Sequence, residues 1–238
     1  MPFETQDWYE NIHTISLIMR NNYTRGSSEV VGVFAGASNR LKPYLTNENN
    51  MTVVHTAGNN TNIADAVKKM YSSALEYCSE YPDRRGPIVT IFHNHARGTI
   101  FTRKDILTFI CYPFIVEAFV DADKIYVIRK QGDIISFYNN RELIKRAQEI
   151  FIRVQTEHTK SEEYIRKYTQ ILQDLNNTNR AEEREACKNL IREFQLNELK
   201  KILAVFSAKL GEECNVAIQF YLTDVPELKN KKLCKLIL

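Results

Sequence analysis

The sequence predicts a mixed α/β domain over residues 1–140 and a mainly helical extension over 141–238 that closes on a strand. Three observations predict this. Short apolar runs bounded by glycine, asparagine and proline recur through the first part and read as strands. Between them, apolar residues at three-and-four spacing mark helices. After Asn140 the helical spacing takes over, until "NVAIQFYLT" (215–223) resumes a strand pattern.

Taken in order, Trp8, Ile12, Ile15, Ile18 and Met19 share one helical face, and "TRGSS" breaks the segment. "EVVGVFAG" (29–36) is a short buried strand ended by glycine. "MTVVHTA" (51–57) is a second strand, followed by the glycine- and asparagine-rich "GNNTN". Over 62–81, Ile63, Ala66, Val67, Met70, Ala74 and Cys78 form one helical stripe, with Asn62 as its N-cap. "DRRGP" is a turn. "PIVTIFH" (87–93) is a continuous apolar run, as expected of a strand covered on both faces. A helix is expected from Thr102 through "RKDILTFI", ended by Pro113. "FIVEAFVDA" and "KIYVIRK" are strands, with "QGD" as a hairpin turn into a further strand, "IISFYN".

In the extension, Leu143, Ile144, Ala147, Ile150, Phe151 and Val154 make one apolar helical face. Tyr164, Ile165, Tyr168, Ile171, Leu172 and Leu175 make a second. A third runs from Ala186, Cys187, Leu190, Ile191 and Phe194 through Leu199, Ile202, Leu203 and Phe206. Thr159 with Glu162, and Asn179 with Glu182, have the spacing of capping boxes. Caps interrupt the pattern, so helix-on-helix docking is expected rather than one long free coiled coil.

Composition narrows the function classes. The 238 residues are 44% hydrophobic and 26% charged, as in a soluble globular protein with a substantial core. Residues 1–140 carry 14 basic and 14 acidic side chains, and the remainder carry 18 and 15, so the net charge is only +3. That balance speaks against a dedicated nucleic-acid binder. The five cysteines, Cys78, Cys111, Cys187, Cys214 and Cys234, are scattered and form no C-x-x-C pair. They read as free thiols in a reducing compartment rather than as a disulfide framework. "MPFETQDWYENIH" lacks a basic segment followed by an apolar run, and no apolar stretch has the length of a membrane span. A cytoplasmic protein without a membrane partner is therefore expected, and sequons such as Asn22-Tyr-Thr24 carry no meaning there.

The chemistry concentrates in "FHNHARGTIFTRKDI" (92–106). His93 closes an apolar strand and His95 lies two residues on, so both imidazoles point to one side. Asp105 stands in the first turn of the next helix. Two imidazoles and a carboxylate make a three-ligand N/O set of the kind that holds catalytic zinc and leaves a fourth position for water. Such a site also needs a base that is not itself a ligand, and a donor for the oxyanion. His55 sits in an apolar strand and reads as structural. His13 and His158 lie in helices and read as solvated. Arg84-Arg85 and Arg103-Lys104 read as polar turn or helix-face pairs.

The wider pattern resembles the JAB/MPN zinc metalloproteases, also called the JAMM family. "HNHARGTIFTRKD" looks like their H-x-H, short loop and S-x-x-D motif. "SEVVGVFAG" is similar to their first strand, where a glutamate opens E-x-x-G-x-x-x-G after an N-terminal helix; Glu29, Gly32 and Gly36 match. The resemblance covers roughly residues 8–138. It implies a curved mixed sheet flanked by helices, of the cytidine-deaminase-like kind. It implies Zn2+ held by His93, His95 and Asp105. Glu29 would take a proton from the attacking water and pass it to the leaving amine, and Thr102, in the place of the family's serine, would donate to the oxyanion. The implied reaction is hydrolysis of an amide or isopeptide bond in a protein substrate, including removal of a ubiquitin-like modifier.

Three departures bear on the substrate. Ala96 replaces a usual proline, Thr102 replaces serine, and the six residues between His95 and Thr102 make a loop one residue shorter than the commoner eukaryotic form. The shorter loop looks more like prokaryotic and phage-associated members. A threonine keeps the hydroxyl but restricts its rotamer. Two other readings stand beside the peptidase: a non-catalytic MPN-like scaffold, and a metal-dependent hydrolase of a non-protein substrate. In each, residues 141–238 would dock a protein partner, a second copy or a substrate.

Overall fold

The computed structural model describes strand backbones at 31–35, 44–47, 50–56, 59–62, 89–94 and 115–120, and single positions 65, 69, 72 and 137. It describes 101–111, 125–132, 139–178 and 180–225 continuously, with side chains through 223. The expected helix at Trp8–Tyr23, most of the helix over 62–81, Cys78, Cys234 and the Asn179 cap lie outside the described residues. The mixed α/β class holds. Two compact units interleave along the chain: one comprises 1–98, 114–129 and 223–238, the other 99–113 and 130–222.

The first unit carries strands β1 (Val31–Ala35), β2 (Tyr44–Asn47), β3 (Asn50–Thr56), β4 (Asn59–Asn62), β5 (Val89–Asn94), β6 (Ile115–Val120) and most of β7 (Ile125–Gly132). Their order is β4-β3-β2-β1-β5-β6-β7. The β5–β6 pair is parallel, whereas β1 runs antiparallel to β5 and β7 antiparallel to β6. β5 is therefore an interior strand, with a paired strand along each edge. β2 was not anticipated: four residues beside a proline carry too little pattern. β4 was not read as a strand either, because "NNTN" is wholly polar. Its pairing with β3, from Thr56↔Asn59 to Val53↔Asn62, uses backbone groups that are indifferent to side-chain polarity. Asn62, expected as a helix cap, pairs there with Val53. Asp65, Lys69 and Ser72 are helical and exposed, which suits the solvent face opposite the apolar stripe of 62–81.

The second unit contains α1 (Arg103–Cys111), α2 (Arg141–Thr159), α3 (Glu162–Asn177), α4 (Ala181–Cys214), the start of β8 (Ile218–Val225) and the end of β7. Its core is a relay of rings: Phe109 packs on Phe220 at 6.0 Å, Phe220 on Phe206 at 4.9 Å, and Phe206 on Phe151 at 5.5 Å. Phe109, Phe151, Phe206 and Phe220 are all buried. Lys130 is buried too, its ammonium 4.1 Å from the Phe109 ring centre, a favourable cation–π distance. Ser207 joins helix to strand. Its Oγ donates to the Leu203 carbonyl and accepts from the Phe220 N–H, each at 2.8 Å, satisfying a strand donor from a helix.

Two local expectations are corrected. The turn at "QGD" and the strand "IISFYN" do not form as read: β7 continues through Gly132, Phe137 is helical and fully buried, and Asn139 lies in a turn. The reason is a distant partner. Gly132 has φ +126°, and a Cβ there would stand 1.9 Å from the Ala217 carbonyl oxygen, so the approach of the segment entering β8 requires glycine. The cap of α3 is Ser161, not Thr159: Ser161 Oγ accepts from the Tyr164 N–H at 3.3 Å. Thr159 is still inside α2, and its hydroxyl donates back to the Gln155 carbonyl at 2.9 Å. Asn140 caps α2 by accepting from the Leu143 N–H at 3.1 Å. Asn215 ends α4 at φ 52°, a left-handed position that asparagine tolerates. No helix among the described residues is long and apolar enough to cross a membrane.

Candidate metal centre

His93 is the penultimate residue of β5. It pairs with Val31 of β1 on one side and Phe119 of β6 on the other. The glutamate strand and the histidine strand, some sixty residues apart in sequence, are thus direct neighbours. Ladder pairing runs from Val31↔His93 to Ala35↔Val89, so the beginning of β1 meets the end of β5. Glu29, His95 and Ala96 lie outside the described residues.

Thr102 and Asp105 belong to the second unit and are brought together there. α1 begins at Arg103, so Thr102 is the N-cap and Asp105 the third helical residue. Asp105 Oδ2 accepts from the Thr102 N–H at 2.6 Å and from the Thr102 hydroxyl at 2.7 Å. The Asp105 N–H points back at Thr102 Oγ1 at 3.3 Å. This is a capping box with aspartate in the position more often held by glutamate. The Ile106 N–H closes the first turn on the Thr102 carbonyl at 3.2 Å. Phe101 is buried beside this cap, whereas Thr102 itself is exposed.

The box orients the carboxylate without exhausting it, because an ionised carboxylate has two oxygens and about four acceptor sites. Ligating carboxylates are commonly held by outer hydrogen bonds of this type. An N, N, O donor set of His93, His95 and Asp105 suits zinc. Among the described residues, no group of three or more His, Cys, Asp or Glu is placed to hold a metal; His95 and Glu29 are not among them. His55 pairs with Leu45 and Asn60 in β3, in a strand setting as expected.

One polar cluster escaped the sequence reading. His158, expected to be solvated, is only 23% exposed at its side chain, and its Nε2 lies 2.5 Å from Glu198 Oε2. Glu198 also accepts from Lys201 Nζ at 2.7 Å and is itself buried. Burial pushes the Glu198 carboxyl upward, but the hydrogen bonds from Lys201 and His158 outweigh that and hold it below its ordinary range. Nothing local in the sequence links His158 to a helix forty residues later. Cys111, Cys187 and Cys214 are free thiols. Burial raises the pKa of Cys111 and of Cys214, which favours the protonated thiol at both.

No protein-family model, no curated protein and no solved structure matches this chain.

Proposed function

We propose that this chain is a cytoplasmic zinc-dependent metallopeptidase of the JAB/MPN type, acting on an amide or isopeptide bond of a protein substrate. The observation that carries the reading is the pairing Val31↔His93. It supports a shared site because it brings the strand after Glu29 alongside the strand that ends in the histidine motif. In sequence, Glu29 stands two residues before β1 and His95 directly follows β5. His93, His95 and Asp105 would be the ligands. Bound zinc would supply a Lewis acid and lower the pKa of a water it holds. Glu29 accepts a proton from the attacking water and delivers it to the departing amine. Asp105 is pre-oriented by Thr102, and the ubiquitin-like class of substrate follows from the family likeness alone.

The Thr102–Asp105 box also favours a second reading. Its hydroxyl already donates to Asp105, a purely structural use that a non-catalytic scaffold would share. Metal analysis and turnover separate the two. The peptidase reading expects about one zinc per purified chain, with occupancy lost in His93→Ala and in Asp105→Ala. Glu29→Gln should retain zinc and lose cleavage of ubiquitin-like fusions by a hundredfold or more. Zinc content unchanged in both ligand variants rules out the site. Zinc without any cleavage by wild type favours the scaffold.

A further inference from the structure

We propose that the groove between α1 and α2 binds an acidic peptide segment. Arg103, Lys104, Leu107, Thr108 and Cys111 line one wall of an open groove of about 500 Å3, and Gln148 of α2 lines the other. The α1 residues recur at three-and-four spacing and so form one helical face. Asp105 lies off that face, hydrogen-bonded to Thr102. Two cations stand at one end of the groove, both exposed, and no Asp or Glu among the described residues lines it. Arg103 Nε donates to Gln155 Oε1 at 2.5 Å, which orients the guanidinium against a neutral partner. Lys104 makes no ion pair among the described residues, whereas Lys167, Lys188, Lys201 and Lys209 each pair with a glutamate.

The floor is neutral and mostly apolar. Leu107 supplies an apolar surface. The Cys111 thiol stays protonated through burial, which outweighs the pull of Lys130, and it accepts from the Gln148 amide at 2.9 Å. Cations over an apolar floor fit acidic side chains flanking an apolar one. No aromatic side chain among the described residues lines the groove, so these residues offer no stacking platform of the kind expected for single-stranded nucleic acid. The proposal concerns binding only and stands independently of the zinc reading.

The test uses the full chain and fluorescence anisotropy. The probe is a short fluorescein-labelled peptide of alternating glutamate and leucine. Saturable binding is expected, weakening as salt rises and absent for the matching lysine–leucine peptide. Arg103→Glu combined with Lys104→Glu should weaken binding about tenfold. Both side chains are exposed, so circular dichroism should match wild type. Lys104→Gln, a milder change, should cost about threefold and decides the matter if the double variant misfolds. Absence of saturable binding by wild type, or equal affinity in Lys104→Gln, overturns the proposal. So does tighter binding of a labelled oligothymidine, which would assign the groove to nucleic acid.

Discussion

The two halves of α4 have the same helical spacing and opposite fates. The helix has 34 residues, about 51 Å at 1.5 Å per residue. From Leu196 onward it buries Leu196, Leu199, Ile202, Leu203, Phe206 and Leu210 against α2 and β8. Before Leu196 it packs with α3 and fully buries nothing: Leu190 is 53% exposed, and Ile165 of α3 is 51% exposed. A half-buried ring trio packs there, with Tyr164 tilted on Phe194 at 5.2 Å and Tyr168 stacked on it at 6.1 Å. The difference lies in partner number. The C-terminal half has a helix on one side and a strand on another, whereas two helices alone can cover only one face each. The Glu198, His158 and Lys201 cluster sits where the two regimes meet, and Tyr164 packs edge-on to His158 at 5.9 Å.

Three measurements break or sharpen this contrast. The largest effect is expected at Phe206, which touches both Phe151 and Phe220. Phe206→Ala should lower stability by about 3–5 kcal/mol in urea unfolding; a loss near zero would mean that the ring relay is not a core. At the junction, Glu198→Gln should cost about 1–2 kcal/mol at neutral pH through weakened charge-assisted hydrogen bonds. The sign with pH follows from the depressed Glu198 pKa. A carboxyl held below its ordinary value contributes stability above its unfolded pKa of about 4.3 and loses it as pH falls through the folded value. The gap between wild type and Glu198→Gln should therefore shrink on acidification below that value, and a gap that widens would assign the cluster differently. Smallest of all, Leu190→Ala should change stability by no more than about 0.5 kcal/mol. A loss comparable to Phe206→Ala would show that the hairpin face is covered in solution.

The elements most legible in the sequence were those with an uninterrupted pattern. β5 came from the run "PIVTIFH", and α2 and α3 from their apolar stripes, whereas α4 extends beyond both ends of its stripe, to Ala181 and Cys214. Thr102 was legible as a cap because a hydroxyl followed three residues later by an acid is a local signal. What failed was short, polar or non-local. β2 is only four residues long, and β4 carries no apolar side chain. "IISFYN" has strand-forming residues, yet Phe137 is buried in a helical position while β7 takes its neighbour from the far end of the chain. The histidine motif was visible from its spacing. That its strand lies beside the one following Glu29 was not, since β1 and β5 are separated by three other strands in sequence.

The sequence by itself determined where the long helices and the apolar strand β5 lie, because these rest on side-chain type and on periods of 2 and 3.6 residues. Tertiary structure alone decided who stands beside whom. It set Val31 against His93, gave β7 a partner near Ala217, closed Glu198 on His158, and left one half of α4 without cover. Periodicity says that a face is apolar, but only long-range packing chooses what buries it, and that choice depends on loop closure and complementary shape over the whole chain.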